Sequence, residues 1–98
     1  METFKELIQS EKPVLVDFYA DWCAPCKTMS PVIQQVAKLV EGKARVVKIN
    51  VDKNVQVAQT YGIASIPCFI VFKNGHIVWR HTGTIDKNTL VNVLNQNA

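Results

Sequence analysis

Six consecutive residues, Val14-Leu15-Val16-Asp17-Phe18-Tyr19, narrow the folds open to this chain more than any other stretch. Apart from Asp17 the run is apolar, partly β-branched and without alternation. A strand with one wet face alternates between apolar and polar. A strand with no wet face does not, because both rows of side chains need apolar cover. An α/β sheet with helices on both sides supplies that cover. Pro13 opens the run, a position where the missing backbone donor is tolerated.

The flanking segments supply the helices. Thr3 and Glu6 have capping-box spacing for a first helix with Phe4, Leu7 and Ile8 on one side, reaching about Gln9 or Ser10. After the apolar run the period changes: Met29, Val32, Ile33, Val36, Ala37 and Val40 form one stripe at steps of three and four. A long helix is therefore expected from Ala24 to about Val40. Pro31 predicts a kink within it and Gly42 a C-terminal cap. Residues 44–51 read as a second strand, interrupted by Lys48. Asp52, Lys53 and Asn54 offer N-caps for a short helix that ends at Gly62. Residues 66–73 read as a third strand opened by Pro67. Asn74-Gly75 is a hairpin turn, and residues 77–82 return as the antiparallel partner. Asp86 caps a last helix that buries Leu90, Val91, Val93 and Leu94. The expected order is α-β-α-β-α-β-β-α in one domain over residues 1–98, with one right-handed parallel crossover and one hairpin.

Composition excludes several functions. The formal charge of +3 comes from 11 basic and 8 acidic residues that are scattered along the chain. Nucleic-acid binding needs a clustered basic face, so none is expected. No apolar run approaches membrane-spanning length, and Met1-Glu2-Thr3-Phe4-Lys5-Glu6 lacks the apolar core of a signal peptide. A cytoplasmic protein without membrane contact is the expectation. Three cysteines are too few and too irregular for a secreted disulfide framework.

Two of those cysteines lie in Trp22-Cys23-Ala24-Pro25-Cys26-Lys27, where the buried strand gives way to the long helix. Two thiols separated by two residues at such a junction make a redox or metal motif. Zinc needs two further ligands, for which Cys68, His76 and His81 are the candidates. The histidines belong to a strand pair turned by glycine and are expected on solvated positions, with no role. A redox pair with no metal is therefore preferred. A thiol at a helix N-terminus meets unpaired amides and a partial positive charge, so the Cys23 thiolate is stabilised. Cys26 lies one turn further in, shielded by the helix. Cys23 is then the nucleophile that forms a mixed disulfide, and Cys26 the resolving thiol that displaces the reduced product. Pro25 in the first turn costs no helical hydrogen bond.

Asp17 is out of place in a two-faced apolar strand, where desolvation raises its pKa. Lys48 interrupts the neighbouring strand, and the two are expected to compensate each other if the strands pair. Asp17 then reads as a proton relay for Cys26, acting through water. Trp22, next to the nucleophile, is expected to shield it and contact substrate. Cys68 reads as a small buried hydrophobe.

Taken together, Val16-Asp17-Phe18, Trp22-Cys23-Ala24-Pro25-Cys26-Lys27, Pro31, Lys48, Tyr61-Gly62-Ile63, Ser65-Ile66-Pro67, Phe72-Lys73-Asn74-Gly75 and Gly83 resemble the thioredoxin family over nearly the whole chain. The resemblance implies the thioredoxin fold, here a central mixed four-stranded sheet flanked by four helices. It also implies a cis peptide before Pro67, lying against the active-site disulfide. Substrate is expected over Trp22, Ala24, Pro25, Ile66, Pro67 and Gly83, with the Ile66 backbone pairing to the bound polypeptide. The implied partners are disulfide-containing proteins and an NADPH-linked flavoprotein thioredoxin reductase. No cofactor is implied beyond the Cys23–Cys26 disulfide, and a monomer is expected. Ala24 stands where the family has glycine, Tyr19 where it has tryptophan, and Cys68 where it has threonine. The strand that precedes the first helix in the family has no counterpart, which leaves one sheet edge exposed. Protein-disulfide reduction is the leading reading. An oxidant or isomerase, and a redox-independent docking module, are the alternatives.

Overall fold

The computed structural model describes residues 2–98. Its elements run α1 (Phe4–Ile8), β1 (Val14–Tyr19), α2 (Ala24–Leu39), β2 (Arg45–Asn50), α3 (Val55–Thr60), β3 (Cys68–Lys73), β4 (His76–Thr82) and α4 (Lys87–Gln96). Among the described residues the strands form one four-stranded sheet in the order β2-β1-β3-β4. β1 pairs with β2 in parallel and with β3 antiparallel, and β3 pairs antiparallel with β4, so the sheet is mixed.

β1 is interior, and the continuous hydrophobicity of its sequence follows from that. Val14, Leu15, Val16 and Phe18 are all fully buried, in alternate directions. Leu15 joins Phe69 and Val71 of β3 under Met29, Ile33 and Val36 of α2 and Leu90 and Leu94 of α4. Val14, Val16 and Phe18 join Ile70 and Phe72 on the other face, under Ile8. Phe4 and Tyr61 extend that second layer by edge and tilted ring contacts, Phe4–Phe72 at 5.8 Å and Tyr61–Phe72 at 5.2 Å. β2, by contrast, forms one edge of the sheet and is mostly half-exposed.

Local signals hold where the hydrogen bonds are local. Thr3 Oγ1 accepts the Glu6 amide and Glu6 Oε1 accepts the Thr3 amide, both at 3.1 Å. Asp86 Oδ2 accepts the Thr89 amide at 2.9 Å at the start of α4. Asn74 (φ 53°) and Gly75 (φ 81°) are both left-handed, the type I′ geometry that matches strand twist.

Helix ends fall close to expectation, but two caps, Gly42 and Asn54, do not act as expected. α1 stops at Ile8 with Gln9 as its cap, at the near limit of the expected end. α2 runs through Pro31, which does not stop the helix, as expected; it is exposed and withdraws one helical donor. That helix ends where expected, with Val40 as its C-cap, but Gly42 is not the cap: the amides of Lys43 and Ala44 both reach the Val40 carbonyl, and Gly42 (φ 81°) turns the chain just before them. Asn54 sits at the N-cap of α3 but makes no side-chain cap bond. Its amide group instead donates to the Asn50 carbonyl at 3.0 Å. Asn50 Oδ1 in turn accepts the Asp52 amide at 2.9 Å, so a buried side chain from β2 organises this turn.

Candidate active site

β1 ends at Tyr19, and the chain turns through Ala20, Asp21 and Trp22 to place Cys23 at the N-cap of α2. An N-cap side chain normally offers oxygen to the amide three residues on. Here the acceptor is sulfur: Cys23 Sγ takes the Cys26 amide at 3.2 Å. The Cys23 carbonyl accepts the Lys27 amide at 3.2 Å, the first regular bond of the helix. Pro25 lies in that first turn, where no donor is missed.

Cys23 and Cys26 are joined in a disulfide with their Cα atoms 5.3 Å apart. The expected contrast between an open Cys23 and a shielded Cys26 is absent in this state, at 3% and 5% exposure. The bridge draws both sulfurs into one cluster with Ala20, against which Tyr19, Val51 and Ile66 pack. The Ile66–Pro67 peptide is cis, and Pro67 is buried. Gly83 donates its amide to the Pro67 carbonyl at 2.8 Å, which ties the end of β4 to this loop.

Around the sulfurs the surface is apolar. Trp22 is 70% exposed, so it is not core. Its indole N–H donates to Asp52 Oδ2 at 2.8 Å, which holds the ring against the turn after β2. Ala24 and Pro25 are exposed, and Ile66 is half-buried. Asp52 has a structural part in the site that sequence reading assigned only to helix capping. The bond spans thirty positions of sequence and leaves no local signature.

Asp17 is 2% exposed, and its Oδ1 is buried with no hydrogen-bond partner. Burial pushes its carboxyl up from 3.8 to about 6, and the positive charge of Lys48 offsets part of that rise. Lys48 is the parallel-strand partner of Asp17, as expected. The expected compensation takes a different form, however. Among the described residues the ion pair is the surface contact of Arg45 with Glu2 at 2.8 Å, not Lys48 with Asp17. The Lys48 ammonium stands over the Tyr19 ring, 4.6 Å from its centroid, and acts on Asp17 through its field. A long flexible stem on an exposed edge strand can reach this half-buried ring and keep its charge hydrated.

A cavity of about 380 Å³ lined by Tyr19, Ala20, Asp21, Cys26, Lys27, Ser30 and Lys48 leads from the surface to Cys26. A wider hollow of about 680 Å³, lined by neither Cys23 nor Cys26, runs along β4 and the start of α4. It is lined in part by Trp79 and His81, whose rings stack at 5.9 Å and 10°. His81 is therefore half-buried and not simply solvated, and its Nε2 lies 3.1 Å from the Thr84 carbonyl oxygen. His76 is exposed.

Cys68 follows Pro67 directly but points to the opposite layer, among Val16, Phe18 and Ile70. It is unbridged and fully buried, with Thr82 Oγ1 donating to its sulfur at 3.8 Å. Adjacent strand residues face opposite ways, which separates this third thiol from the pair. Among the described residues no three His, Cys, Asp or Glu side chains converge as metal ligands would.

Comparison with known proteins agrees with this geometry. A family model described as thioredoxin matches residues 1–96. Thioredoxin 1 of a Nostoc species is 50% identical over 93 residues, covering 94% of this chain and 87% of that protein. Thioredoxin of Rickettsia felis is 44% identical over 92 residues, covering 94% and 88%. Among solved structures, a mutant thioredoxin from Halobacterium salinarum superposes with a TM-score of 0.85 at 33% identity, over 95% of this chain and 80% of the other.

Proposed function

This chain belongs to the thioredoxin family, and from that premise we propose how its residues divide the chemistry of a dithiol–disulfide oxidoreductase. The Cys23 thiolate attacks one sulfur of a protein disulfide and forms a mixed disulfide, while the departing sulfur takes up a proton. The Cys26 thiolate then attacks Cys23, which closes the Cys23–Cys26 bridge and releases the second substrate sulfur as a thiol. The substrate gains two electrons and two protons, and the enzyme dithiol loses them.

The observation that carries this assignment is the sulfur of Cys23 in the N-cap position of a 16-residue helix, accepting the Cys26 amide. That position stabilises an anion through backbone donors and the helix dipole, an effect for which thioredoxins are themselves a standard illustration. Asp17 relays the Cys26 proton. Supporting this, its carboxyl is held near neutrality by burial, and a cavity of about 380 Å³ opens onto Cys26. Lys48 tunes Asp17. Trp22, Ala24, Pro25, Ile66 and Gly83, with the cis-proline Pro67, form the substrate surface. The exposed indole and the apolar rim around nearly buried sulfurs favour a docked polypeptide over a small molecule.

Residues 1–98 act as one domain, in keeping with a radius of gyration of 12.4 Å against ~13 Å expected for about a hundred residues. The working form is a monomer in the cytoplasm, recharged by an NADPH-linked thioredoxin reductase. In keeping with this, no helix among the described residues is long and apolar enough to cross a membrane. Nucleic acid has no part.

The test is insulin-disulfide reduction with dithiothreitol as electron source. Cys23→Ser should lower turnover by about a thousandfold or more. Turnover that survives the substitution removes Cys23 as the nucleophile. Substrate binding retained when both cysteines are replaced, with no loss of biological role, would favour docking alone.

A further inference from the structure

The parallel pairing of β1 with β2 gives Lys48 two seats on one face of the sheet. Asp17 stands directly beside it, and Tyr19, two residues further along β1, projects to the same side. The ammonium occupies the second seat, 4.6 Å from the ring centroid. There it lines the same cavity as Cys26 and Tyr19. We infer that Tyr19 is a positioning residue, whose ring keeps the Lys48 charge near Asp17 and so governs how readily that carboxyl takes up a proton. The inference rests on the reading of Asp17 as the relay for Cys26, and it adds a residue to which no part in the chemistry has been given.

The physical need for a holder follows from where Lys48 sits. It is exposed on an edge strand, and a lysine stem is flexible and its ammonium strongly hydrated. Unheld, the charge extends into water, where screening weakens its field at a buried oxygen. The negative face of an aromatic ring attracts a cation without neutralising it. A carboxylate partner would neutralise it, so the ring seat keeps the field usable.

Few other charges compete. Cys26 faces this space from α2, with Asp21 and Lys27 at the cavity. On the far side β3 presents Phe69, and His81 of β4 lies beyond it, tied to Thr84. The attraction belongs to the ring and not to the hydroxyl, so phenylalanine should serve as well as tyrosine and leucine should not.

The experiment follows the Asp17 side-chain carboxyl by carbon NMR across pH in the disulfide protein, where neither Cys23 nor Cys26 titrates. Tyr19→Phe should leave the midpoint at about 6. Tyr19→Leu and Lys48→Met should each raise it, by about half a pH unit or more. In the Lys48→Met background, Tyr19→Leu should add nothing, because its effect passes through the lysine. An unchanged or lowered midpoint in Tyr19→Leu overturns the inference, as does an equal rise with and without Lys48. The Lys48→Met arm does not depend on leucine being accepted at position 19, and no rise there overturns it too. Because no thiol reacts in this form, these midpoints stand whether or not Asp17 serves Cys26, and the relay is judged separately by thiol-exchange rates.

Discussion

Asp17 and Cys68 are buried on adjacent strands, facing opposite layers, and the sheet treats them differently. Cys68 lies among aliphatic and aromatic side chains with the Thr82 hydroxyl on its sulfur. Asp17 lies in the layer under α2 with one oxygen left without a partner. A neutral thiol is inexpensive to bury, whereas a carboxylate is not. The layer under α1 and α3 can therefore be an ordinary core. The layer under α2 accepts an unfavourable group, beside a lysine on the neighbouring strand. The difference teaches what a packed face can absorb: both faces are built as apolar cores, but among the described residues only the α2 face carries a buried carboxylate and its electrostatic cost.

Three substitutions would break or sharpen this contrast. Phe18→Ala empties the centre of the α1/α3 layer and should cost about 3–5 kcal/mol in denaturant unfolding. The titration of Asp17 should survive it, and a large change there would mean the two faces are not separable.

Asp17→Asn tests the other face, with the opposite sign. Folding raises this carboxyl from 3.8 to about 6, so the folded state binds the proton more tightly than the unfolded chain. The penalty is absent below pH 3.8, grows as pH rises through that window, and is complete above about 6. At pH 7 the variant should be more stable by about 3 kcal/mol at most, with the gain gone near pH 3. It should also exchange disulfides more slowly. A gain independent of pH would assign the effect to packing and dismiss the ionised carboxylate as its cause.

Cys68→Ala should do least, about 1 kcal/mol of stability, with insulin reduction within about twofold of the parent. A marked loss of turnover would falsify the separation of Cys68 from the site on the other face of the sheet.

Much of this was legible beforehand, for reasons that differ by residue. The two-faced burial of β1 follows from its lack of alternation, and α2 from its stripe. The pairing of Cys23 with Cys26 follows from their spacing at a strand-to-helix junction, taken together with the lack of a convincing zinc ligand set. Asp17 announced itself as a charge where none belongs. Asn50 did not, since a polar residue at a strand end looks like any loop residue until its turn is seen. Nor did Asp52 as the anchor of Trp22, or the stacking of His81 on Trp79. The Gly42 cap was misplaced by two positions, because Val40 keeps accepting bonds beyond the helix.

What the residues determine by themselves is local: periods, caps, the type I′ turn and a thiol pair one helical turn apart. Each depends on neighbours within four positions, so the chain carries the information in its order. The tertiary structure decided which seat Lys48 takes, which layer Cys68 faces, and what the Trp22 indole and the Pro67 carbonyl bond to. Those outcomes depend on strand register and on groups meeting across roughly fifteen to thirty positions, separations that only the assembled sheet brings within bonding range.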